Sequence, residues 1–228
     1  MEIFIDSANV GEIEKWLGYG VIDGVTTNPS VMLKDGVFDL EKGAKQIAKL
    51  INPLPLNVEV TTNDLEEMVS QGLNLASWAP NIAVKIPVIN QDGQPCLGVI
   101  NELSKQGVRV NATACLSFSQ VVLSAKAGST YISIFAGRVS DEGGDAPLLL
   151  RQAADWLEHW KYKAKIIAGS VRAVIDVQQA AMAGAHIVTV PPQFLGKMVD
   201  HKYTRETVKQ FVGDAVKALE IMEKARLS

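Results

Sequence analysis

Several things are scarce in this chain. It has two cysteines, Cys96 and Cys115, which are not spaced as a metal-ligand set and read as reduced thiols on a core or helix face. Its three histidines, His159, His186 and His201, form no His/Asp/Glu spacing that would assemble a metal site, so a metal-dependent reaction is disfavoured and no cofactor is expected. There is no excess of positive charge. A formal net charge of -3 and a pI near 5.7 make nucleic acid and anionic membranes poor partners, so any anion site has to be local. No apolar stretch reaches membrane-spanning length, and the start Met1-Glu2-Ile3-Phe4-Ile5-Asp6 has neither a basic segment nor an apolar leader, which predicts a cytoplasmic protein. Linkers, low-complexity tracts and solenoid periods are also missing.

What is present is an alternation. At 228 residues, 47% hydrophobic and 21% charged, the chain is globular and long enough for one large core or two small ones. Short β-rich runs recur at Ile3–Asp6, Asp23–Thr27, Asn57–Thr61, Asn81–Val88, Val108–Thr113, Tyr131–Phe135, Lys165–Ala168 and His186–Val190. Amphipathic stretches of helical length separate them. Strand-helix units repeated eight times with right-handed crossovers predict a parallel (β/α)8 barrel, one domain over residues 1–228. A doubly wound open sheet is the alternative, but Asp6-Ser7-Ala8-Asn9 stands where its glycine fingerprint would follow the first strand. Thr204–Ser228 reads as an additional helix, with Val208, Phe211, Val212, Ala215, Val216, Leu219 and Met222 on one stripe. That stripe has to be buried across the barrel mouth or against another subunit.

The run Asn81-Ile82-Ala83-Val84-Lys85-Ile86-Pro87-Val88 holds one lysine in a strand buried on both faces. Desolvation disfavours an ammonium, and a neutral amine is the nucleophile that forms a Schiff base with a carbonyl. The plainer alternative is a lysine that snorkels out at a strand end. Other polar residues also fall at strand ends: Asp6, Thr26, Thr27, Asn28, Glu59, Asn111, Thr113, Ser133 with Arg138 beyond it, and Ser170 and Arg172. Each taken alone has a structural reading: Asn28 as a cap, Thr113 as a β-former, Arg172 as a solvated helix-start residue. In a barrel all of them converge on the C-terminal face.

These motifs resemble the transaldolase family and its close relatives, the fructose-6-phosphate aldolases. The carriers are Phe4-Ile5-Asp6-Ser7-Ala8, Gly24-Val25-Thr26-Thr27-Asn28-Pro29-Ser30, Val84-Lys85-Ile86-Pro87, Asn111-Ala112-Thr113 with Phe118-Ser119-Gln120, Ser133-Ile134-Phe135-Ala136-Gly137-Arg138 and Ala168-Gly169-Ser170-Val171-Arg172. Ala112, Ile134 and Gly169 depart from common family choices without removing a functional group. The resemblance implies a class I mechanism with Lys85 as the Schiff-base lysine, Asp6 as an acid/base group, and Glu59 with Thr113 managing protons through a water. It implies that Asn28 and Ser133 hold the dihydroxyacetone end and that Arg138, Ser170 and Arg172 hold the phosphate, with Thr26 and Asn111 lining the same site. Two arginines and a hydroxyl beside a helix N-terminus suit a dianion.

The fate of the three-carbon enamine separates transaldolase, which transfers it, from fructose-6-phosphate aldolase, which releases free dihydroxyacetone. The aldolase branch tends to carry Gln and Tyr where this chain has Glu59 and Phe135, which favours transaldolase. A barrel that binds sugar phosphates without turnover stays open as a different class. Short members of the family typically form rings in which the tail helix reaches a neighbour, implying a homo-oligomer, a decamer of two pentameric rings.

Overall fold

The computed structural model describes residues 1–227, so Ser228, the last residue of the expected tail helix, lies outside the described residues. The chain divides into two compact units, Met1–Pro192 and Gln193–Ser228. In the first, eight strands close in chain order into a parallel barrel: β1 (Glu2–Asp6), β2 (Gly24–Thr26), β3 (Leu56–Glu59), β4 (Ile82–Pro87), β5 (Val110–Cys115), β6 (Tyr131–Phe135), β7 (Lys165–Gly169) and β8 (Ile187–Val190). The last pairs with the first, Ile5 opposite Val190. The (β/α)8 expectation therefore holds.

Between the strands run α1 (Val10–Gly18), α2 (Pro29–Lys34), α3 (Leu40–Ile51), α4 (Leu65–Ser77), α5 (Leu97–Lys105), α6 (Phe118–Lys126), α7 (Ala136–Asp141), α8 (Ala146–His159) and α9 (Val174–Met182). Local chemistry sets where they start. Asn9, Asn28, Asp39, Asp64, Ser117 and Asp145 each accept a backbone N–H of the first turn at an N-cap. Arg172 is not a helix-start residue, since α9 begins at Val174 and the Asp176 carboxylate accepts from the backbone N–H of both Arg172 and Ala173. β5 runs two residues later than its sequence pattern implies: Ala114, at φ 59°, bulges the strand and carries its pairing on to Cys115.

The barrel interior is layered. Phe4, Ala83, Tyr131, Ile167 and Ile187 form one buried apolar cluster. Phe4 and Tyr131 meet edge to face at 6.3 Å, and because β1 and β6 are not neighbours in the sheet, this contact crosses the interior. Gly24 makes room for it, since a Cβ there would stand 2.7 Å from the Phe4 ring.

α10 (Pro192–Val199), which lies in the second unit but for its first residue, precedes α11 (Lys202–Arg226), which starts two residues before the expected Thr204 and buries none of its side chains. Phe211 and Leu219 on its apolar stripe are about two-thirds exposed, at 65% and 66%.

Candidate active site

Side chains two apart on a strand share a face. Two positions beyond the apolar cluster, on the same strands, stand Asp6, Lys85, Ser133, Gly169 and Thr189. They open onto a cavity of about 200 Å³ whose walls also include Thr26, Asn28, Phe135, Arg138, Ser170 and Arg172. Most of the residues expected from the sequence are there. Thr27, Glu59, Asn111 and Thr113 are not in the cavity wall: Thr27 follows β2, Glu59 ends β3, and Asn111 and Thr113 lie on β5.

Lys85 is buried, at 4% exposure, but it is not the solitary ammonium that its apolar run implies. Glu59 Oε2 lies 2.9 Å from Nζ, and Nζ donates to the Thr27 carbonyl at 2.7 Å. Parallel pairing aligns Glu59, Lys85 and Asn111 on consecutive strands, so one register brings them together. The snorkelling alternative fails, because the amine is held inside the barrel.

Asp6 faces Lys85 across the cavity wall. Burial pushes its carboxyl above the usual carboxylate range. The Lys85 charge, a hydrogen bond from Thr26 Oγ1 at 2.8 Å and the Lys34 charge work against that rise, while the Asp35 charge adds to it. Thr26 gives its proton to Asp6, so Thr189, within hydrogen-bonding distance of the same oxygen, donates to Thr26. The loop after Asp6 is pinned by Asp35, whose Oδ2 accepts from Ser7 Oγ at 2.7 Å, Ala8 N at 2.8 Å and Asn9 N at 3.1 Å. Sequence reasoning passed over both Thr189 and Asp35. Thr189 is hidden among β-branched neighbours, but its alternation with Ile187 was a usable signal.

Asn28 does cap α2: its Oδ1 accepts from Val31 N at 2.9 Å, while the residue still lines the cavity. Ser133 Oγ donates to Asn111 Oδ1 at 2.9 Å. Thr113 Oγ1 is buried and bonds to no other protein atom. Phe135, two residues beyond Ser133, lines the same cavity, with the Arg138 guanidinium 5.4 Å from its ring centre. Arg138 and Arg172 are exposed, and Arg172 Nη2 is 2.8 Å from Asp141 Oδ2. Ser170 adopts φ 60°, and Gly137 is required beside it, because a Cβ there would stand 1.9 Å from the Ser170 carbonyl oxygen. That close approach brings the start of α7, with Arg138, against Ser170 and Arg172. Gly169 is not required in the same sense, as a Cβ there would meet only ordinary contacts at 3.7 Å. Among the described residues, no three His, Cys, Asp or Glu side chains stand close enough to hold a metal ion. No helix among them is long and apolar enough to cross a membrane.

The chain matches the family described as Transaldolase/Fructose-6-phosphate aldolase over residues 3–227. It is 39% identical to a protein named "Probable transaldolase" from Dehalococcoides mccartyi, over 94% of this chain and 97% of that one. A "Probable transaldolase" from Lactiplantibacillus plantarum is 40% identical over 94% and 96%. "Probable transaldolase 2" of Listeria monocytogenes is 36% identical over 94% and 95%. Among solved structures, a cube-shaped, highly porous protein cage designed by fusing symmetric oligomeric domains superimposes with a TM-score of 0.59 at 16% identity, over 99% of this chain and 79% of that one. That last likeness is one of fold alone.

Proposed function

The chain belongs to the transaldolase/fructose-6-phosphate aldolase family, and from that premise we propose that it is a transaldolase, moving a dihydroxyacetone unit from sedoheptulose 7-phosphate or fructose 6-phosphate to an aldose phosphate in the pentose phosphate pathway. The observation that carries the reading is a buried lysine amine, Lys85, in one cavity with the carboxyl of Asp6 and the cations of Arg138 and Arg172.

Neutral Lys85 attacks the ketose C2, and loss of water leaves a protonated imine. The imine draws electrons from the C3–C4 bond as Asp6 takes the C4 hydroxyl proton, so the bond breaks and an aldose phosphate departs. The enamine left on Lys85 attacks the aldehyde of an acceptor aldose phosphate, Asp6 returns the proton, and hydrolysis frees the new ketose. Glu59, in contact with Nζ, takes the ammonium proton and, with the unpaired Thr113 hydroxyl, manages later transfers through a water. Asn28 and Ser133 hold the three-carbon end, with Thr26 and Asn111 fixing their neighbours. Arg138, Ser170 and Arg172 hold the phosphate, which displaces Asp141 from Arg172.

Phe135 supports transfer over release, because its ring brings no hydroxyl into the cavity to guide water or a proton to the enamine. The test is a coupled assay on fructose 6-phosphate with and without erythrose 4-phosphate. Transfer well in excess of dihydroxyacetone release is expected. Release as fast as transfer would make the enzyme a fructose-6-phosphate aldolase, and neither activity would make it a binding protein. We place it in the cytoplasm as a single barrel domain with a tail helix. It assembles as a decamer of two pentameric rings, supported by the exposed apolar stripe of α11; light scattering returning a monomer mass would refute the assembly.

A further inference from the structure

A string of three buried amide and hydroxyl groups runs behind the cavity, and its direction is forced. Asn57 Nδ2 lies 3.3 Å from the Val25 carbonyl oxygen, Asn111 Nδ2 lies 2.9 Å from Asn57 Oδ1, and Ser133 Oγ lies 2.9 Å from Asn111 Oδ1. A backbone carbonyl only accepts. The Asn57 atom facing it is therefore the nitrogen, which leaves Asn57 Oδ1 to accept from Asn111. Asn111 then offers its own oxygen to Ser133, and the single Ser133 proton goes to that oxygen. Asn57 and Asn111 are fully buried and Ser133 is 5% exposed, so water does not compete along the string. The Asn57 backbone is itself locked, its carbonyl accepting from both Thr27 N at 2.9 Å and Thr27 Oγ1 at 2.8 Å.

Only Ser133 in this string reaches the cavity, and it arrives with lone pairs and no proton. We propose that Asn57 is a positioning residue that commits Ser133 to accepting, and thereby selects a ketose donor whose C1 carries a hydroxyl, which can donate, over one whose C1 carries fluorine, which cannot. The inference rests on the reading of Ser133 as a contact for the three-carbon fragment. Without Asn57 the Asn111 amide is free to turn over and offer Nδ2 to Ser133. Ser133 then points its proton at the substrate, and a C1 group that cannot donate is no longer discriminated against.

The experiment measures kcat/KM for transfer to erythrose 4-phosphate from fructose 6-phosphate and from its 1-deoxy-1-fluoro analogue, in the whole enzyme. Ser133→Ala defines the ratio of the two when no serine acceptor is present. Asn57→Leu is expected to lower the wild-type ratio by about tenfold, toward that value, with no further fall in the Asn57→Leu/Ser133→Ala double variant. Asn57→Asp still accepts from Asn111 and keeps the wild-type ratio. If Asn57→Leu does not fold, Asn57→Ala reads the same quantity. A loss of kcat shared equally by both donors, leaving the ratio unmoved, assigns Asn57 a structural role and overturns the inference while transfer itself stands. A wild type that uses neither donor and forms no adduct on Lys85 overturns the proposed function and this inference together.

Discussion

Two layers of the barrel interior, one residue pair apart along the strands, have the same backbone geometry and opposite chemistry. In the lower layer Phe4, Ala83, Tyr131, Ile167 and Ile187 pack without a charge among them. In the upper layer the positions two residues on are Asp6, Lys85, Ser133, Gly169 and Thr189. The lower layer stabilises the fold by removing apolar area from water. The upper layer is held by directed contacts: a carboxylate and a carbonyl on Lys85, a threonine pair on Asp6, an amide on Ser133. Asp6 shows the opposition most clearly. Burial pushes its carboxyl up, so folded Asp6 keeps its proton to higher pH than unfolded Asp6, and its contribution to stability falls as pH rises through that window. The closed lower layer is what lets the upper one hold such groups in place.

The largest break in the comparison is Lys85→Met, which gives the upper layer a side chain suited to the lower one. Turnover and borohydride trapping are expected to vanish with the fold intact by circular dichroism. The converse is Phe4→Ala, which empties the lower layer beside Gly24 and Tyr131. It is expected to cost about 3–5 kcal/mol in denaturant unfolding, while kcat of the protein that remains folded changes little. Phe135→Tyr adds a hydroxyl to the upper layer, and dihydroxyacetone release without acceptor should rise by about a hundredfold, the low end for proton-transfer help. Unchanged release would remove the role given to Phe135 without touching the assignment. The smallest effect is expected from Thr26→Val. The Thr26 hydrogen bond lowers the Asp6 pKa, so its loss should move the acid limb of kcat/KM to higher pH, with a loss of about three- to tenfold on the acid side that disappears at high pH. A uniform loss at every pH would mean that Thr26 does not act through Asp6.

The lower layer was easier to read from the sequence than the links of the upper one. Short β-rich apolar runs announce strands, and strand-helix repetition announces the barrel. Polar residues at strand ends such as Asp6, Lys85 and Ser133 stand out against that background. What does not stand out is which group touches which. The Glu59 contact with Lys85 is set by the register of β3 on β4, and Asn57 is unremarkable until the folded sheet sets its amide against Asn111, 54 residues later. Thr189 reads as a β-former in Ile187-Val188-Thr189-Val190. The helices α2 and α7, six residues each, are too short to declare a period, although Pro29 and the Phe135–Arg138 segment sit where they begin. The bulge at Ala114 has no sequence signature, because alanine does not favour a positive φ.

In the proposed reaction the upper layer carries out covalent chemistry at one amine, Lys85. The direct measurement is borohydride reduction of the enzyme with fructose 6-phosphate, followed by mass spectrometry of the digested protein. A reduced three-carbon adduct on Lys85 is the predicted result. An unmodified Lys85, or an adduct on any other lysine, would contradict it.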